Sequence, residues 1–332
     1  MSNPTCDLYP CGYTVQRWIG HCFNGLGDVF LARCNDSSRI TIKRILIDCL
    51  IDPSHVMEEV KMLKSLRHQH ILEFHASFVY RNDLLIASPT CSYGSALDII
   101  LSAYPSGIPE KAIAILLSQL LKAVSYLHNQ DIVHRSIRAS HLLIESTGNV
   151  RLTGFRCSSH LPKNTRRKLT EFDKSLEGSL LWLAPEVLAQ DLNGYGVKSD
   201  IYSIGITLCE LANGFPPFSD MEPLQMLYEK GRGTVPKLLD SKTLPDLDKS
   251  TQGTREFSEA FHDITEQSLK ANQYSRPNAA FLLQHPFVRK SKKSILDYIP
   301  SAKTLDEVEK YTEKTPTDDT CLEAPEWSYG NN

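Results

Sequence analysis

The stretch His134–Ile144 reads HRSIRASHLLI. It carries two histidines, two arginines and two serines, and no carboxylate. Asp131 precedes it and Glu145 follows it, so acids flank the stretch without entering it. Upstream, KAIAILLSQLLKAVSYLHNQ (residues 111–130) has the length and apolar content of a buried helix. A serine hydroxyl such as that of Ser136 is no useful general base at neutral pH unless another base activates it.

The rest of the chain sets limits on what such a loop can belong to. The 332 residues are 41% hydrophobic and 23% charged, enough to bury one large domain or two lobes. A net charge of −3 is too small for a nucleic-acid footprint. No run approaches the roughly 18 apolar residues of a membrane span, and no partner membrane is expected. The start, MSNPTCDLYPCGY, has no basic segment followed by an apolar one, so no signal peptide is read, and Ser2 argues against myristoylation. Nine cysteines, odd in number and without CxxC spacing, are expected to be reduced thiols, mostly buried, and not zinc ligands or a disulfide framework.

Up to about residue 90 the chain reads mainly as strands. YTVQRWI, VFLARC, RITIKRILI and DLLIAS are short, β-branched and separated by turn residues. One helix interrupts them: SHVMEEVKMLKSL has Val56, Met57, Val60, Leu63 and Leu66 near helical spacing, with Ser54 as its N-cap. From about Tyr93 the pattern turns helical, and SDIYSIGITLCELANG (residues 199–214) ends on an Asn-Gly stop. The expected fold is α+β and bilobal, with a small mainly β N-lobe holding one main helix and a large mainly α C-lobe. PKNTRRKLT (162–170) is a basic, exposed loop, and 240–256 is a second polar stretch. After about residue 293 a polar, acidic tail is expected to be disordered unless a partner orders it.

ITIK ends on Lys43 within a strand, and Glu59 lies in the helix that follows. APE stands at Ala184–Glu186, SDIYSIG at Ser199–Gly205 and SRP at Ser275–Pro277. In this order and spacing the motifs resemble the protein kinase signature set over residues 13–290. The resemblance implies a segment 1–12, a kinase-like domain 13–290 divided into an N-lobe of about 13–91 and a C-lobe of about 92–290, and a tail 291–332. It implies that Lys43 pairs nucleotide phosphates and Glu59. It places Gly20 and Val29 in the glycine-rich loop, Ser88 at the gatekeeper, and the backbone of Thr90 and Cys91 beside an adenine, where Pro89 removes one donor. Asp200 would bind the catalytic-loop backbone, and Arg276 would pair with Glu186.

The departures are as specific as the matches. The catalytic aspartate of the kinase loop is Ser136, and losing a base of this kind costs about 10²- to 10⁴-fold in rate. The asparagine that holds the second magnesium is His141, and imidazole is a poor ligand for so hard a cation. The DFG motif is Gly154-Phe155-Arg156, so the magnesium carboxylate is absent. Neither Asp131 nor Glu145 stands where a kinase acid reaches the γ-phosphate. Cys22 replaces a glycine whose absence of side chain lets the loop approach phosphates. No metal is expected. Two readings of Arg156 stand: with Lys43 it substitutes for the metal and allows ATP to bind without magnesium, or it is a solvent-pointing arginine after a strand.

VHRSIRASHLLI, the GFR triplet, LLWLAPEVL, GYGVKSDIYSIGITLCELANG and the segment up to LQMLYEK are similar to the STE20-related adaptor (STRAD) pseudokinases. That resemblance implies an adaptor without catalysis. Members bind the serine/threonine kinase liver kinase B, hold it active allosterically and retain it in the cytoplasm, which implies a cytoplasmic protein with the nucleus as second location. A helical-repeat scaffold, mouse protein twenty-five, completes a heterotrimer. ATP and scaffold would favour the closed, active-like shape by population shift. Vertebrate-type members end in Trp-Glu-Phe, which docks on the scaffold; here the nearest equivalent is Trp327-Ser328-Tyr329, with the glutamate gone, Tyr in place of Phe and three residues following. The basic loop 162–170 corresponds to the activation segment, which in the family helps to contact the partner kinase; a solvated basic loop explains its composition equally well. Two alternatives stay open beside the adaptor: a nucleotide-free scaffold that uses the fold as a surface, and a weakly active STE-type kinase.

Overall fold

β-Branched runs short enough to be strands and too apolar to be loops pair early in this chain, and helices follow. The protein is described by a computed structural model. It describes residues 12–22, 25, 27–47, 54–163, 168–170, 172–190, 193–243, 255–288 and 294–308. The described residues form two units.

The first unit holds a five-stranded antiparallel sheet in the order β1-β2-β3-β5-β4. Its strands are β1 Tyr13–Cys22, β2 Gly27–Cys34, β3 Arg39–Leu46, β4 Ala76–Tyr80 and β5 Asp83–Pro89, with helix α1 Ser54–Ser65 between β3 and β4. The period of two sorts side chains onto two faces. On one, Ala32, Ile40, Ile42, Leu85 and Ala87 form a core. On the other, Ile45, Leu84 and Ile86 meet Val56 and Val60 of α1. Met57, expected on the apolar stripe of α1, points outward at 52% exposure. β4 is the strand that the sequence reading passed over, since ASFVY offers only a five-residue run. Cys34 is bonded in a disulfide, which corrects the expectation of reduced thiols throughout. Cys22, Cys91, Cys157 and Cys209 are free thiols.

The second unit is mainly helical. It contains α2 Ala96–Ala103, α3 Glu110–His128, α4 Pro185–Leu188, α5 Lys198–Asn213, α6 Pro223–Gly231, α7 Glu259–Ser268 and α8 Ala279–Leu282. Ser95 and Asp98 form a capping box that starts α2. α5 is buried along its whole length from Ser199 to Asn213 and stops where Gly214 takes φ 90°. In two small antiparallel pairs, β6 Ile132–Val133, which pairs with β9 Ser159–His160, precedes the 134–144 stretch, and β7 Leu142–Ile144, which pairs with β8 Val150–Leu152, forms its end. No helix among the described residues is long and apolar enough to cross a membrane.

The flank after the helical unit is more than a polar tail. Ser294 and Asp297 form a capping box around the 3-10 turn Ile295–Tyr298, and Ile295 and Ile299 are buried with the second unit. Residues 304–308 pack with the first unit. Leu305 and Val308 lie against Trp18 and Ile19, Asp306 pairs with Arg17 at 2.8 Å and Arg39 at 2.5 Å, and Leu305 N donates to Ser92 O at 2.8 Å. Widely spaced apolar residues inside an acidic run are enough to anchor it. Residues 309–332, with Trp327 and Tyr329, lie outside the described residues.

Arg276 ties the second unit together. Its guanidinium is bidentate to Glu186 (2.6 and 2.8 Å) and donates to the carbonyls of Lys198, Lys270 and Ala271, so all five N–H groups are used. It also lies over the Tyr202 ring. Replacing Arg276 by Met strands a buried carboxylate and three carbonyls. Stability should fall by about 3–5 kcal/mol in denaturant unfolding; a loss under about 1 kcal/mol would show that the pair is dispensable.

Candidate functional site

The residues singled out from the sequence fall on both units. In the first, strand register assembles them. Gly20 pairs with Val29, Val29 with Lys43 and Lys43 with Ile86, so these four share one row and one face. The next rows on that face carry Cys22, Gly27 and Ile45 on one side and Leu31, Thr41 and Ser88 on the other. Helix α1 brings Glu59 to 3.3 Å from the Lys43 ammonium. Glu59 is 1% exposed, and its Oε2 has no hydrogen-bond partner. Burial works against the Lys43 ammonium, but the carboxylate of Glu59, helped by Cys22, raises its pKa above the ordinary lysine value. Glu58 is instead exposed and paired with Lys61 at 2.8 Å.

Ser88 is buried beside Thr41, Thr41 Oγ1 donates to Thr90 Oγ1 at 3.3 Å, and Cys91 is buried. A side chain at Gly20 would meet nothing within 4 Å, whereas one at Gly27 would lie 2.6 Å from the Arg44 carbonyl and 2.9 Å from Cys22 Sγ. Gly27 is therefore demanded by the sheet and Gly20 is open. Cys22 puts a thiol on the same face as Lys43, one row along.

In the second unit, Asp200 positions the 134–144 stretch. It is fully buried, accepts from the backbone N–H groups of His134 (2.9 Å) and Arg135 (2.8 Å), and pairs with His128 Nε2 at 2.9 Å. Burial pushes its pKa upward, but the His128 contact and these amides hold it below the usual aspartate range. His134 is a buried structural histidine. Its Nε2–H donates to Thr153 O at 3.1 Å, its Nδ1 accepts from Ser136 N at 3.3 Å, and burial pushes its pKa down to about 4. Arg135 spends its Nε on Cys157 O and its Nη1 on Tyr195 OH (3.1 Å).

The positions that depart from the kinase pattern are adjacent in space. His141 Nδ1 lies 2.6 Å from Ser136 O, and a carbonyl only accepts, so Nδ1 carries the proton. Nε2 then accepts from Arg138 Nη2 at 3.3 Å. Both ring nitrogens are thereby engaged, and neither is left to ligate a cation. Gly154 has φ 88°, and a Cβ there would sit 2.4 Å from His141 Nδ1. The imidazole fills the space that a side chain at 154 would need. Among the described residues no group of three or more His, Cys, Asp or Glu is placed to hold a metal. Arg156 is half-buried in the 3-10 turn Phe155–Cys157 and is not an arginine pointing freely into solvent. Glu145 is tied to Arg151 at 2.6 Å.

Several residues that the sequence reading did not single out belong to the same neighbourhood. Glu210 accepts from Ala139 N (3.0 Å) and Trp182 Nε1 (2.8 Å), and burial pushes its pKa up to about 7. Lys230 donates to the carbonyls of Leu180, Leu181 and Leu183 at 3.2, 2.6 and 2.9 Å, and burial pushes its pKa down to about 7. Signals existed for both. Asp200, Ser203, Thr207 and Glu210 recur at helical spacing on the fully buried α5, and Lys230 stands four residues after the buried Met226. In the expected activation loop, Lys168 Nζ donates to Tyr274 OH at 2.6 Å and Leu169 bridges to Tyr195, while residues 164–167 lie outside the described ones.

Sheet, helical unit and motif order define a protein-kinase fold whose catalytic loop is built without a carboxylate. The protein kinase domain model matches residues 13–288. The chain is 38% identical to STE20-related kinase adapter protein alpha of Bos taurus, over 87% of this chain and 87% of that protein. It is 36% identical to the Mus musculus protein of that name, over 87% and 75%. It is 38% identical to STE20-related kinase adapter protein strd-1 of Caenorhabditis elegans, over 83% and 73%. The chain therefore belongs to the protein kinase family and, within it, to the STE20-related kinase adapter (STRAD) proteins, a pseudokinase type.

Restoring the lost carboxylate should fail for a steric reason. Gly154→Asp puts a Cβ into the His141 ring at a left-handed backbone position, and should cost about 2–4 kcal/mol in chemical unfolding. Adding His141→Ala should return part of that loss. A Gly154→Asp protein as stable as the parent would mean that the imidazole is not wedged there.

Proposed function

We propose that this protein is a catalytically inactive adaptor that binds a serine/threonine kinase of the liver kinase B type and holds it in its active conformation, in a heterotrimer with a helical-repeat scaffold of the mouse protein twenty-five family. The observation that carries the reading is the filled loop. Ser136 stands where the base belongs, and His141 occupies the space over Gly154 with both nitrogens committed. The relatives' own name, kinase adapter protein, supports the same reading. A kinase rate of about 1–100 s⁻¹ needs a base and a bound metal, and this loop supplies neither. The adaptor retains its partner in the cytoplasm and has the nucleus as a second location. Trp327 and Tyr329 dock on the scaffold as aromatic anchors.

Magnesium does not fit the residues present, because no carboxylate replaces Gly154 and His141 has no nitrogen to offer. The first unit offers ATP phosphates a matching cation. Lys43 is held on the face that also carries Gly20 and Val29, with Glu59 fixing its position. In the second unit, Arg156 carries a fixed positive charge that a phosphate can meet without a metal. ATP bound this way stabilises the folded, active-like shape and is not consumed.

Two measurements test the proposal. Activity of the partner kinase should rise when this protein and the scaffold are added, over a blank in which this protein alone transfers no labelled phosphate. No rise and no co-purification would refute the partner. In EDTA, ATP at 100 times its Kd should stabilise the protein by about 2.7 kcal/mol, and Lys43→Met should abolish the shift. Identical melting with and without millimolar ATP would refute nucleotide binding and favour a nucleotide-free scaffold.

A further inference from the structure

Ser136, Arg138 and His141 sit in a loop that has lost its chemistry, yet each is committed to a contact. The target is one short segment ahead of α4. Ser136 Oγ lies 2.8 Å from Ser179 Oγ, both residues being buried. Arg138 Nη1 donates to Gly178 O at 2.5 Å, and its guanidinium carbon lies 5.4 Å from the centre of the Trp182 ring. His141 joins these two arms. Its Nδ1–H is held by the Ser136 carbonyl and its Nε2 receives Arg138 Nη2, so one imidazole sets the orientation of both the serine and the arginine.

Every contact across this junction is supplied by the chain itself. The guanidinium meets a carbonyl, a ring and an imidazole, and no acid partner is needed on the segment. From the opposite side, Lys230 gathers the carbonyls of 180, 181 and 183, and Glu210 takes the indole N–H of Trp182. The segment closes on itself through Trp182 N and Leu183 N, both donating to Ser179 O at 2.9 and 3.2 Å. Arg138 Nε is buried without a partner, so the grip rests on the contacts just named, and a segment held from two sides in this way is locally restrained.

We infer that the former catalytic loop is a latch: Ser136 and Arg138 fasten residues 178–182 in one conformation without phosphate, metal or nucleotide, and His141 is the positioning residue that aims them both. Gly154 belongs to the latch as the vacancy that admits the imidazole. The inference rests on the adaptor reading only for the latch's purpose, which is to present residues 178–183 to the partner kinase as a ready-made surface.

Hydrogen–deuterium exchange on the full chain reads the latch directly, because local opening is measured separately from global unfolding. In Arg138→Gln and in His141→Ala, amides 179–183 should exchange at least about 10-fold faster than in the parent, while those of α5 keep parental rates. His141→Asn, whose side-chain amide can still donate to the Ser136 carbonyl, should recover much of the protection. If Arg138→Gln folds poorly, Ser179→Ala loosens the same segment from its own side and should give a smaller acceleration. Unchanged exchange at 179–183 in both Arg138→Gln and His141→Ala refutes the latch, and so does an acceleration shared equally by α5. Partner activation is assayed on the same proteins. Loosening together with lost activation upholds both latch and purpose, whereas loosening with full activation upholds the latch and refutes its purpose.

Discussion

Asp200 is the interaction on which the helical unit's chemistry depends. A carboxylate with no solvent exposure is tolerated only when its lone pairs are taken up, and here two backbone amides and His128 do so. The contact joins residues 65 and 66 positions apart in sequence, and it fixes the backbone of the loop at His134 and Arg135. Once that backbone is fixed, the directions of Ser136, Arg138 and His141 follow. The same helix continues the work with a stripe of polar residues. Ser203 donates to Trp182 O, Thr207 to Ile137 O, and Glu210 accepts from Ala139 and Trp182. One buried helix thereby organises both the loop and the segment beside it.

That arrangement explains why the loop stays ordered after losing the residues of a kinase catalytic loop. Most buried polar atoms find partners, and in a loop without a carboxylate the arginines need other acceptors. In this chain the acceptors are carbonyls: Gly178 for Arg138, Cys157 for Arg135, three carbonyls for Lys230. Hydrogen bonds to backbone replace the acid-centred contacts of a phosphoryl-transfer site. His141 has both ring nitrogens taken up in these contacts.

The sheet unit follows the opposite course. Lys43 and Glu59 remain paired, Gly20 remains open, and the row from Gly20 to Ile86 remains continuous. The residues 304–308 add an anchor from far along the chain, where Asp306 bridges Arg17 of β1 and Arg39 of β3. Asp306 is half-exposed, so these ion pairs act mainly to orient and are weakened by salt. The apolar contacts of Leu305 and Val308 with Trp18 and Ile19 hold the flank in place.

The two-lobed class, the strand lysine and its helix glutamate, the Asp200 and Arg276 anchors and the absence of an acid in the 134–144 stretch could all be read from the sequence. Each rests on local periodicity, or on motif order and residue identity within a short window. Motif order pointed to Glu59 as the partner of Lys43, and helix α1 brings it to 3.3 Å. The substitutions at Ser136, His141 and Gly154 read there as losses, because a sequence lists what is missing and not what fills the space. Only the tertiary structure decided that His141 lies on Gly154, that Lys230 is buried against three carbonyls, and that Leu305 and Val308 turn back onto β1. Those contacts span 13 to 290 residues or so of chain, and they are fixed by steric fit and hydrogen-bond satisfaction, for which no local spacing carries a signal.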